Sequence, residues 1–156
     1  MPQKKSWTEK LNESKNLPKV VKLKGKATKR WGGKTMAIPS PLEIDALMRK
    51  VPRGKLITTS EIRTAVAKKH KADIGCPLTS GIFTWIAANA AAEQEEEGKK
   101  KTTPYWRTLK SGGEINPKYP GGISVQKKLL QKEGHKIKTK GKKYLVVDYD
   151  KKLVKI

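Results

Sequence analysis

The sequence predicts an α+β fold that is mostly helical, and three patterns along its 156 residues carry this prediction. Residues 40–97 contain three segments with apolar residues at helical spacing and helix-capping signals. Residues 104–122 are rich in glycine and proline, which is typical of a short strand with turns. Residues 135–150 contain apolar and β-branched residues around a Lys-Gly turn, which predicts a terminal β-hairpin.

The first of the three helices begins after Ser40, in a Ser-Pro-Leu-Glu capping box, and runs to about Val51. The second follows "VPRGK", and Thr59 or Ser60 is its expected cap. The turn "KADIGCP" separates it from the third helix, which spans 78–97. Helix, turn and helix in this order is the helix-turn-helix arrangement, and a trailing β-ribbon completes the winged-helix outline.

Two further helices are predicted outside this region. Ser6 to Glu9 is a capping box that opens a short helix to about Asn16, and "ISVQKKLLQKEG" is an amphipathic helix stopped by Gly134. We divide the chain into a basic N-terminal extension, 1–38, and a winged-helix-like domain, 39–156. Trp7 and Trp31 are expected to dock on the domain, and the lysines of the extension to follow phosphates.

The charge points to a polyanionic partner. Lys and Arg number 36 against 14 Asp and Glu, a net charge of +22, and neutralising phosphates releases condensed counterions. Nucleic acid is therefore the leading partner, with a general role of the charge in solubility or ribosome association as the alternative.

The cysteine count and the missing apolar segments predict in which cellular compartment the protein resides. The single cysteine, Cys76, cannot form an internal disulfide, and the sequence contains neither a span-length apolar run nor a secretory signal. We expect a monomer in the cytoplasm, associated with the nucleoid when bound to DNA. Two histidines and one cysteine predict no zinc site, and we expect no cofactor.

Four segments, taken in order and spacing, resemble a known family. "VPRGKLITTSEI", "GCPLTSGIFTWIAANA", "PYWRTLKSGGEINPKYPGG" and "LLQKEGHKI" are similar to the C-terminal domain of the alkylguanine-DNA alkyltransferases, the methylated-DNA-protein cysteine methyltransferases. They also resemble the alkyltransferase-like proteins, in which tryptophan replaces the acceptor cysteine. The resemblance covers 39–138. It implies binding to the minor groove of double-stranded DNA through the helix-turn-helix, with rotation of a damaged base into a pocket.

The resemblance also places a former active site. Alkyl transfer in the family needs a Pro-Cys-His-Arg motif, and the matching residues here are Pro104, Tyr105, Trp106 and Arg107. A phenol is a poor nucleophile toward an alkyl carbon, and an indole accepts no proton, so we expect no enzyme activity. Glu133 occupies the place of the family's orienting glutamate and is expected to cap or to form a salt bridge. The implied pocket residues are Tyr105, Trp106, Arg107, Tyr119, Glu133 and Asn89.

Tyr105 and Trp106 have two interpretations. They could line a base pocket by stacking and hydrogen bonding, or they could be core residues beneath the hairpin. Cys76 is expected to be a turn or packing cysteine.

The DNA-facing residues follow from helix starts, basic side chains and the resemblance. Hydroxyls and free backbone N–H groups at helix starts suit phosphate. The predicted set is Arg53, Lys55, Thr58, Thr59, Ser60, Arg63, Thr79, Ser80, Gly81, Thr84 and Trp85. The family's phosphate-crowding tyrosine falls on Thr59 and its gap-filling arginine near Gly81, so its route to base flipping lacks both side chains. Phe83 or Trp85 are the replacement wedges to consider.

Three functions remain open on this basis. The first is a non-catalytic sensor of O6-alkylguanine-type DNA damage, which the resemblance links to excision-repair partners. The second is an alkyltransferase-type enzyme with a changed site that uses Tyr105 or Cys76. The third is a winged-helix adaptor or regulator that binds nucleic acid or protein generically.

Overall fold

Residues 6–13 and 16–154, the part of the chain that the computed structural model describes, form an α+β fold of small sheets packed around helices. This confirms the predicted fold class. The helices are α1 (Trp7–Asn12), α2 (Lys26–Trp31), α3 (Pro41–Arg49), α4 (Thr59–Lys69), α5 (Pro77–Glu96) and α6 (Gly122–Lys132). The strands are β1 (Lys19–Lys22), β2 (Thr35–Ile38), β3 (Ile57–Thr58), β4 (Ile74–Gly75), β5 (Thr108–Leu109), β6 (Ile137–Lys140) and β7 (Lys143–Val146). Short 3-10 helices cover Tyr105–Arg107, Ser111–Gly113 and Tyr149–Lys152.

The strands form three small sheets. β1 pairs antiparallel with β2, which pairs parallel with β4. β3 and β5 form a parallel pair that joins the start of α4 to the 104–122 region. β6 and β7 form the predicted terminal hairpin, with Gly141 in the left-handed conformation at its turn.

The N-terminal extension contains more structure than the short helix that the sequence predicts. β1 and β2 lie within it, and β2 pairs with β4 in the turn between α4 and α5. The extension therefore completes a sheet whose third strand belongs to the helix-turn-helix region. The boundary between residues 38 and 39 stays a prediction.

The capping residues agree with the sequence at two helices and differ at a third. Ser6 Oγ accepts from the Glu9 N–H, and Ser40 Oγ accepts from the Glu43 N–H. α1 nevertheless ends at Asn12, before the predicted end near Asn16, and residues 14–15 lie outside the described chain.

The cap of α4 is Thr58, and the prediction of Thr59 or Ser60 was wrong. Thr58 has the extended backbone of a cap residue, and its N–H donates to the Glu61 carboxylate at 3.1 Å. Thr59 and Ser60 already belong to the helix. The cap therefore lies at the last residue of β3, one residue before Thr59 and two before Ser60.

Two adjoining apolar clusters form the core. The larger one joins α3, α4 and α5 with Leu11 of α1 and with Tyr105 and Tyr119. The smaller one lies beneath the hairpin and contains Leu56, Leu109, Ile115, Leu130 and Val146. Trp106 packs against both clusters, so the 104–107 segment lies at their junction.

The helix α1 is fixed to α5 at its N-terminal end. The Glu93 carboxylate accepts from the N–H groups of Trp7 and Thr8 at 3.0 and 3.1 Å. The Trp7 ring meets the Trp85 ring edge-on, with centroids 4.8 Å apart. The predicted docking of Trp7 is therefore confirmed.

Within the described chain, no helix combines the length and apolar character that a membrane crossing needs.

Candidate nucleic-acid interface

Tyr105, which the sequence resemblance aligns with an acceptor thiol, lies in the core. Its side chain is only 4% exposed, and its ring makes edge contacts with Trp106 and Tyr119, both at 5.6 Å between centroids. Burial, followed by the nearby Glu95 carboxylate, raises the pKa of the Tyr105 phenol above its usual value. The phenol therefore stays protonated and enclosed at neutral pH.

Tyr119 links this aromatic group to α5. It is buried, and its hydroxyl is hydrogen-bonded to the side chains of Thr84 and Asn116. Burial raises the pKa of Tyr119, and the two hydrogen bonds only partly offset this effect. The residue thus acts as a neutral hydrogen-bonding bridge between α5 and the turn before α6.

Glu133 anchors the remaining two residues of the motif. Trp106 Nε1 donates to its carboxylate at 2.7 Å, and Arg107 Nη2 does so at 3.0 Å. The Gly54 N–H also donates to it, at 3.1 Å, while Arg107 Nη1 donates to the Val51 carbonyl oxygen at 2.8 Å. The expected salt bridge of Glu133 is confirmed.

The charge of Glu133 is stabilised by these donors. Burial by itself raises the pKa of the carboxyl, but the Arg107, Trp106 and Gly54 hydrogen bonds outweigh it, and the pKa of Glu133 lies below its usual value. Its side chain is 4% exposed. Glu133 is accordingly an ionised, enclosed carboxylate that holds the 104–107 segment against the 51–54 turn.

Asn89 makes its hydrogen bond within α5, whereas the two basic residues of the 52–55 turn are exposed on the surface. The Asn89 amide donates to the Trp85 carbonyl oxygen at 2.9 Å, one turn earlier on α5, so the amide is used within the helix. Arg53 is exposed and donates to the Lys132 carbonyl oxygen at 3.1 Å, beside Glu133. Lys55 is exposed on the same turn.

The start of α4 carries a surface cluster of hydroxyl groups. Thr59 and Ser60 lie 3.4 and 2.7 Å, oxygen to oxygen, from Ser111 Oγ. Arg63 Nη2 donates to Ser60 Oγ at 3.3 Å. Thr58, in contrast, is buried, and its N–H and hydroxyl are both engaged by Glu61, so it has neither donor free for phosphate.

The start of α5 turns its hydroxyl side chains toward the interior. Ser80 and Thr84 are 0% and 1% exposed, and Thr84 Oγ1 donates to the Gly81 carbonyl oxygen. The hydroxyl oxygen of Thr79 is also buried. Because positions 80, 84, 87, 88 and 91 share the inward face of α5, these hydroxyls are not available to phosphate.

The outward face of α5 borders a groove of about 470 Å³. The groove lies between this helix and the 110–118 turns, which Trp85 Nε1 joins by donating to the Lys118 carbonyl oxygen at 3.1 Å. Lys110 and Lys118 are the basic residues of the lining, and Lys110 Nζ lies 3.7 Å from the Glu114 carboxylate. The lining residues are Pro77, Leu78, Gly81, Ile82, Trp85, Lys110, Asn116, Pro117 and Lys118.

A second depression of about 300 Å³ adjoins this groove and shares Pro77 with it. Trp31, Ser60 and Arg63 line it together with the acidic Asp73 and strand β4. Ser60 contacts Ser111, which follows Lys110 of the first groove. The helix starts, the 110–118 turns and Trp31 therefore make one continuous face, which we call the α4–α5 face.

The structure thus brings together two sets of predicted residues and adds others. Tyr105, Trp106, Tyr119, Arg107 and Glu133 meet at the core junction, whereas Thr59, Ser60, Arg63, Gly81 and Trp85 lie on the α4–α5 face. Sequence reasoning missed Leu78, Ile82, Lys110, Ser111 and Lys118 as surface residues. The i, i+4 spacing of Leu78 and Ile82 places them on one side of α5, but only the packing of the buried alanines shows that this side faces outward.

Comparisons with known proteins give a distant likeness in structure alone. No family model matches the chain, and no curated protein matches it in sequence. The crystal structure of S. pombe Atl1 in complex with damaged DNA containing O6-carboxymethylguanine is similar at 18% identity and a TM-score of 0.49, covering 74% of this chain and 94% of that one. The crystal structure of S. pombe ATL in complex with DNA is similar at 17% identity and a TM-score of 0.47, with the same coverage.

Proposed function

We propose that this protein binds duplex DNA through the α4–α5 face and acts as a non-catalytic sensor of alkylated guanine. The observation that carries the DNA-binding part is the groove over α5. Its lining combines apolar side chains with Lys118 and with Lys110, which is paired with Glu114, and a hydroxyl cluster adjoins it at the start of α4.

The groove and the hydroxyl cluster suit a DNA duplex because they match both its phosphates and its bases. Lysine and arginine neutralise phosphates, and hydroxyl groups at a helix start donate to phosphate oxygens. The apolar side chains of the lining are suited to base edges and sugars, which lie inside the phosphate rows. A net charge of +22 supplies the long-range attraction.

The side chains of the 104–107 segment support the proposal that the protein is not an alkyltransferase. Tyr105 is enclosed and has a raised pKa, so it supplies no phenolate at neutral pH. Trp106 donates its only N–H to Glu133 and accepts no proton. Cys76 is buried at the N-terminal cap of α5, outside the 104–107 motif. These positions lack the activated nucleophile and base that alkyl transfer needs.

The lesion specificity rests on the sequence resemblance to the alkyltransferase-like proteins, through "PYWRTLKSGGEINPKYPGG" and "LLQKEGHKI". On the same basis we propose that the protein acts as a cytoplasmic monomer and that excision-repair proteins are its partners once it is on damaged DNA.

A second candidate is duplex binding without preference for a lesion, as in an adaptor or regulator. One observation favours it: the Tyr105 ring is packed between Trp106 and Tyr119, so the place of the family's base pocket is filled by a side chain. Lesion recognition would then have to use the α5 groove instead.

Competitive binding separates the candidates. A short duplex with one O6-alkylguanine competes with its undamaged twin for the purified protein at physiological salt. A sensor prefers the damaged duplex by about tenfold or more, which corresponds to about 1.4 kcal/mol. Equal affinities would exclude the sensor and retain the adaptor, whereas no binding to either duplex would contradict DNA binding itself.

A further inference from the structure

The N-terminal extension carries a run of basic side chains with no acidic one among them. Residues 16–42 contain seven Lys and Arg residues and no Asp or Glu, and all seven basic residues are exposed. None of the seven forms an ion pair with a carboxylate of the described residues. They are Lys19, Lys22, Lys24, Lys26, Lys29, Arg30 and Lys34. The extension therefore presents positive charge that an anionic partner can reach.

Three of these residues form a row on the outward side of α2. Lys26, Lys29 and Arg30 have i, i+3 and i+4 spacing, which places them on one side of the helix. Trp31 is partly buried, and the Arg30 guanidinium lies over its ring, 4.9 Å from the centroid. Because this contact orients the Arg30 side chain, the row presents one guanidinium beside two ammonium groups.

The turn between α4 and α5 fixes the position of α2. The helix lies in the connection between β1 and β2, and β2 pairs with β4 in that turn. Asp73 Oδ2 accepts from the N–H groups of Lys34 and Thr35 at 2.7 and 3.2 Å. The packing is close, because a Cβ atom at Gly33 would lie 2.7 Å from Asp73 Cβ. These contacts join the extension, and α2 with it, to the helix-turn-helix region.

α2 borders the α4–α5 face. Trp31, the last residue of α2, lines the depression of about 300 Å³ together with Ser60 and Arg63 of α4 and Pro77 of α5. Asp73, the acidic residue of this lining, is engaged by the backbone N–H groups of the extension. The row on α2 therefore continues the basic surface beyond the edge of the face, where a duplex lying on the face can reach it.

We propose that Lys26, Lys29 and Arg30 bind the phosphate backbone of duplex DNA beside the segment that lies on the α4–α5 face. This inference rests on the proposed DNA binding and adds a second contact to it. Phosphate is the ligand that fits, because the row has cationic donors and no apolar side chain to receive a base edge. Contacts to phosphate carry no information about the base, so α2 contributes affinity without preference for a lesion.

The test measures duplex affinity against salt concentration for a triple variant, Lys26→Gln/Lys29→Gln/Arg30→Gln. Glutamine has a similar helix propensity and carries no charge. Each lost phosphate contact makes the slope of log affinity against log salt shallower by about 0.9, so three lost contacts reduce the slope by about 2 to 3. Affinity near physiological salt should fall by about tenfold or more. The fall should be the same for a duplex with O6-alkylguanine and for its undamaged twin.

A matched control removes three charges from α6. Lys127→Gln/Lys128→Gln/Lys132→Gln changes the net charge equally, and α6 lies outside the described lining of the groove and of the depression on the α4–α5 face. This control should keep the wild-type slope. A charge-conserving variant of α2, Lys26→Arg/Lys29→Arg/Arg30→Lys, should also keep it, which separates lost charge from a disturbed helix. Loss of slope in the charge-conserving variant would contradict a contact made by charge.

The remaining outcomes distinguish the two proposals. Equal slopes in the α2 variant and the α6 control would contradict the α2 contact and leave binding through the α4–α5 face. A changed ratio of affinities between damaged and undamaged duplex would also contradict it, because α2 would then read the base. If the α2 variant bound duplex DNA like the control but lost affinity for duplex RNA, the row would be assigned to RNA instead. No duplex binding by the wild-type protein would contradict the proposed function and the α2 contact together.

Discussion

Trp106 Nε1 donates a hydrogen bond of 2.7 Å to Glu133 Oε2, joining two residues that are 27 positions apart. In the family that the sequence resembles, a histidine at the position of Trp106 acts as base and a glutamate orients it. Here the indole retains the carboxylate partner, but it is a donor only. The contact that would orient a base is therefore present, while the group that would accept the proton is absent. The carboxylate is part of a structural network with Arg107 and Gly54.

The first prediction concerns the stability that this network provides. Glu133→Gln removes the charge that Arg107 faces, and breaking an enclosed ion pair by losing one partner costs about 3 kcal/mol of unfolding free energy. Urea denaturation at pH 7 measures this loss. Glu96→Gln, at an exposed position near the end of α5, is the control and should change the stability by less than about 0.5 kcal/mol.

The same network predicts a pH dependence of stability. Because the pKa of Glu133 in the folded state lies below the usual value of 4.5, the unfolded chain binds the proton more readily. The contribution of Glu133 is therefore complete above about pH 4.5 and is lost as the pH falls through the folded pKa. The stability difference between wild type and Glu133→Gln should narrow in that range, and a difference that widened on acidification would contradict this assignment.

The second prediction concerns alkyl transfer. Incubation with DNA that carries O6-alkylguanine should leave the intact mass of the protein unchanged, because Tyr105 is enclosed and Trp106 cannot accept its proton. Mass spectrometry of the whole protein measures this directly. An adduct of alkyl mass would establish transfer, and peptide mapping would then assign it to Tyr105, Cys76 or another residue.

The third prediction concerns salt. If the α4–α5 face and neighbouring lysines contact about six phosphates, duplex affinity should fall by about 10³ between about 50 and 200 mM salt. Fluorescence anisotropy across this range gives the slope. An affinity that hardly changed with salt would show that the charge of the protein has little part in binding.

Local signals in the sequence predict several elements of this fold because those elements depend on near neighbours. The Ser6 and Ser40 helix caps and the Lys-Gly turn of the terminal hairpin are examples. β1 and β2 were missed because their partners are distant: β2 pairs with β4 across more than thirty residues, and β1 is mostly exposed and lysine-rich. No local pattern specifies such pairing.

The site was harder to predict because it depends on which way α5 faces. Apolar and small residues occur all around this helix, so its periodicity does not distinguish the buried side. Packing places alanines and the Ser80 and Thr84 side chains inward and leaves Leu78 and Ile82 outward. The resemblance located Tyr105, Trp106 and Glu133 correctly at one place, but their burial could be established only from the structure.

The most direct test of DNA binding through the α4–α5 face compares two charge reversals. One double variant, Lys110→Glu/Lys118→Glu, reverses two charges in the α5 groove. The other, Lys127→Glu/Lys128→Glu, reverses two charges on α6. Duplex affinity at one fixed salt concentration is measured for both and for wild type. We predict that the groove variant binds at least about tenfold more weakly than the α6 variant, a difference of about 1.4 kcal/mol. Equal losses in the two variants would contradict binding through this face and would leave only a diffuse attraction between the basic protein and DNA.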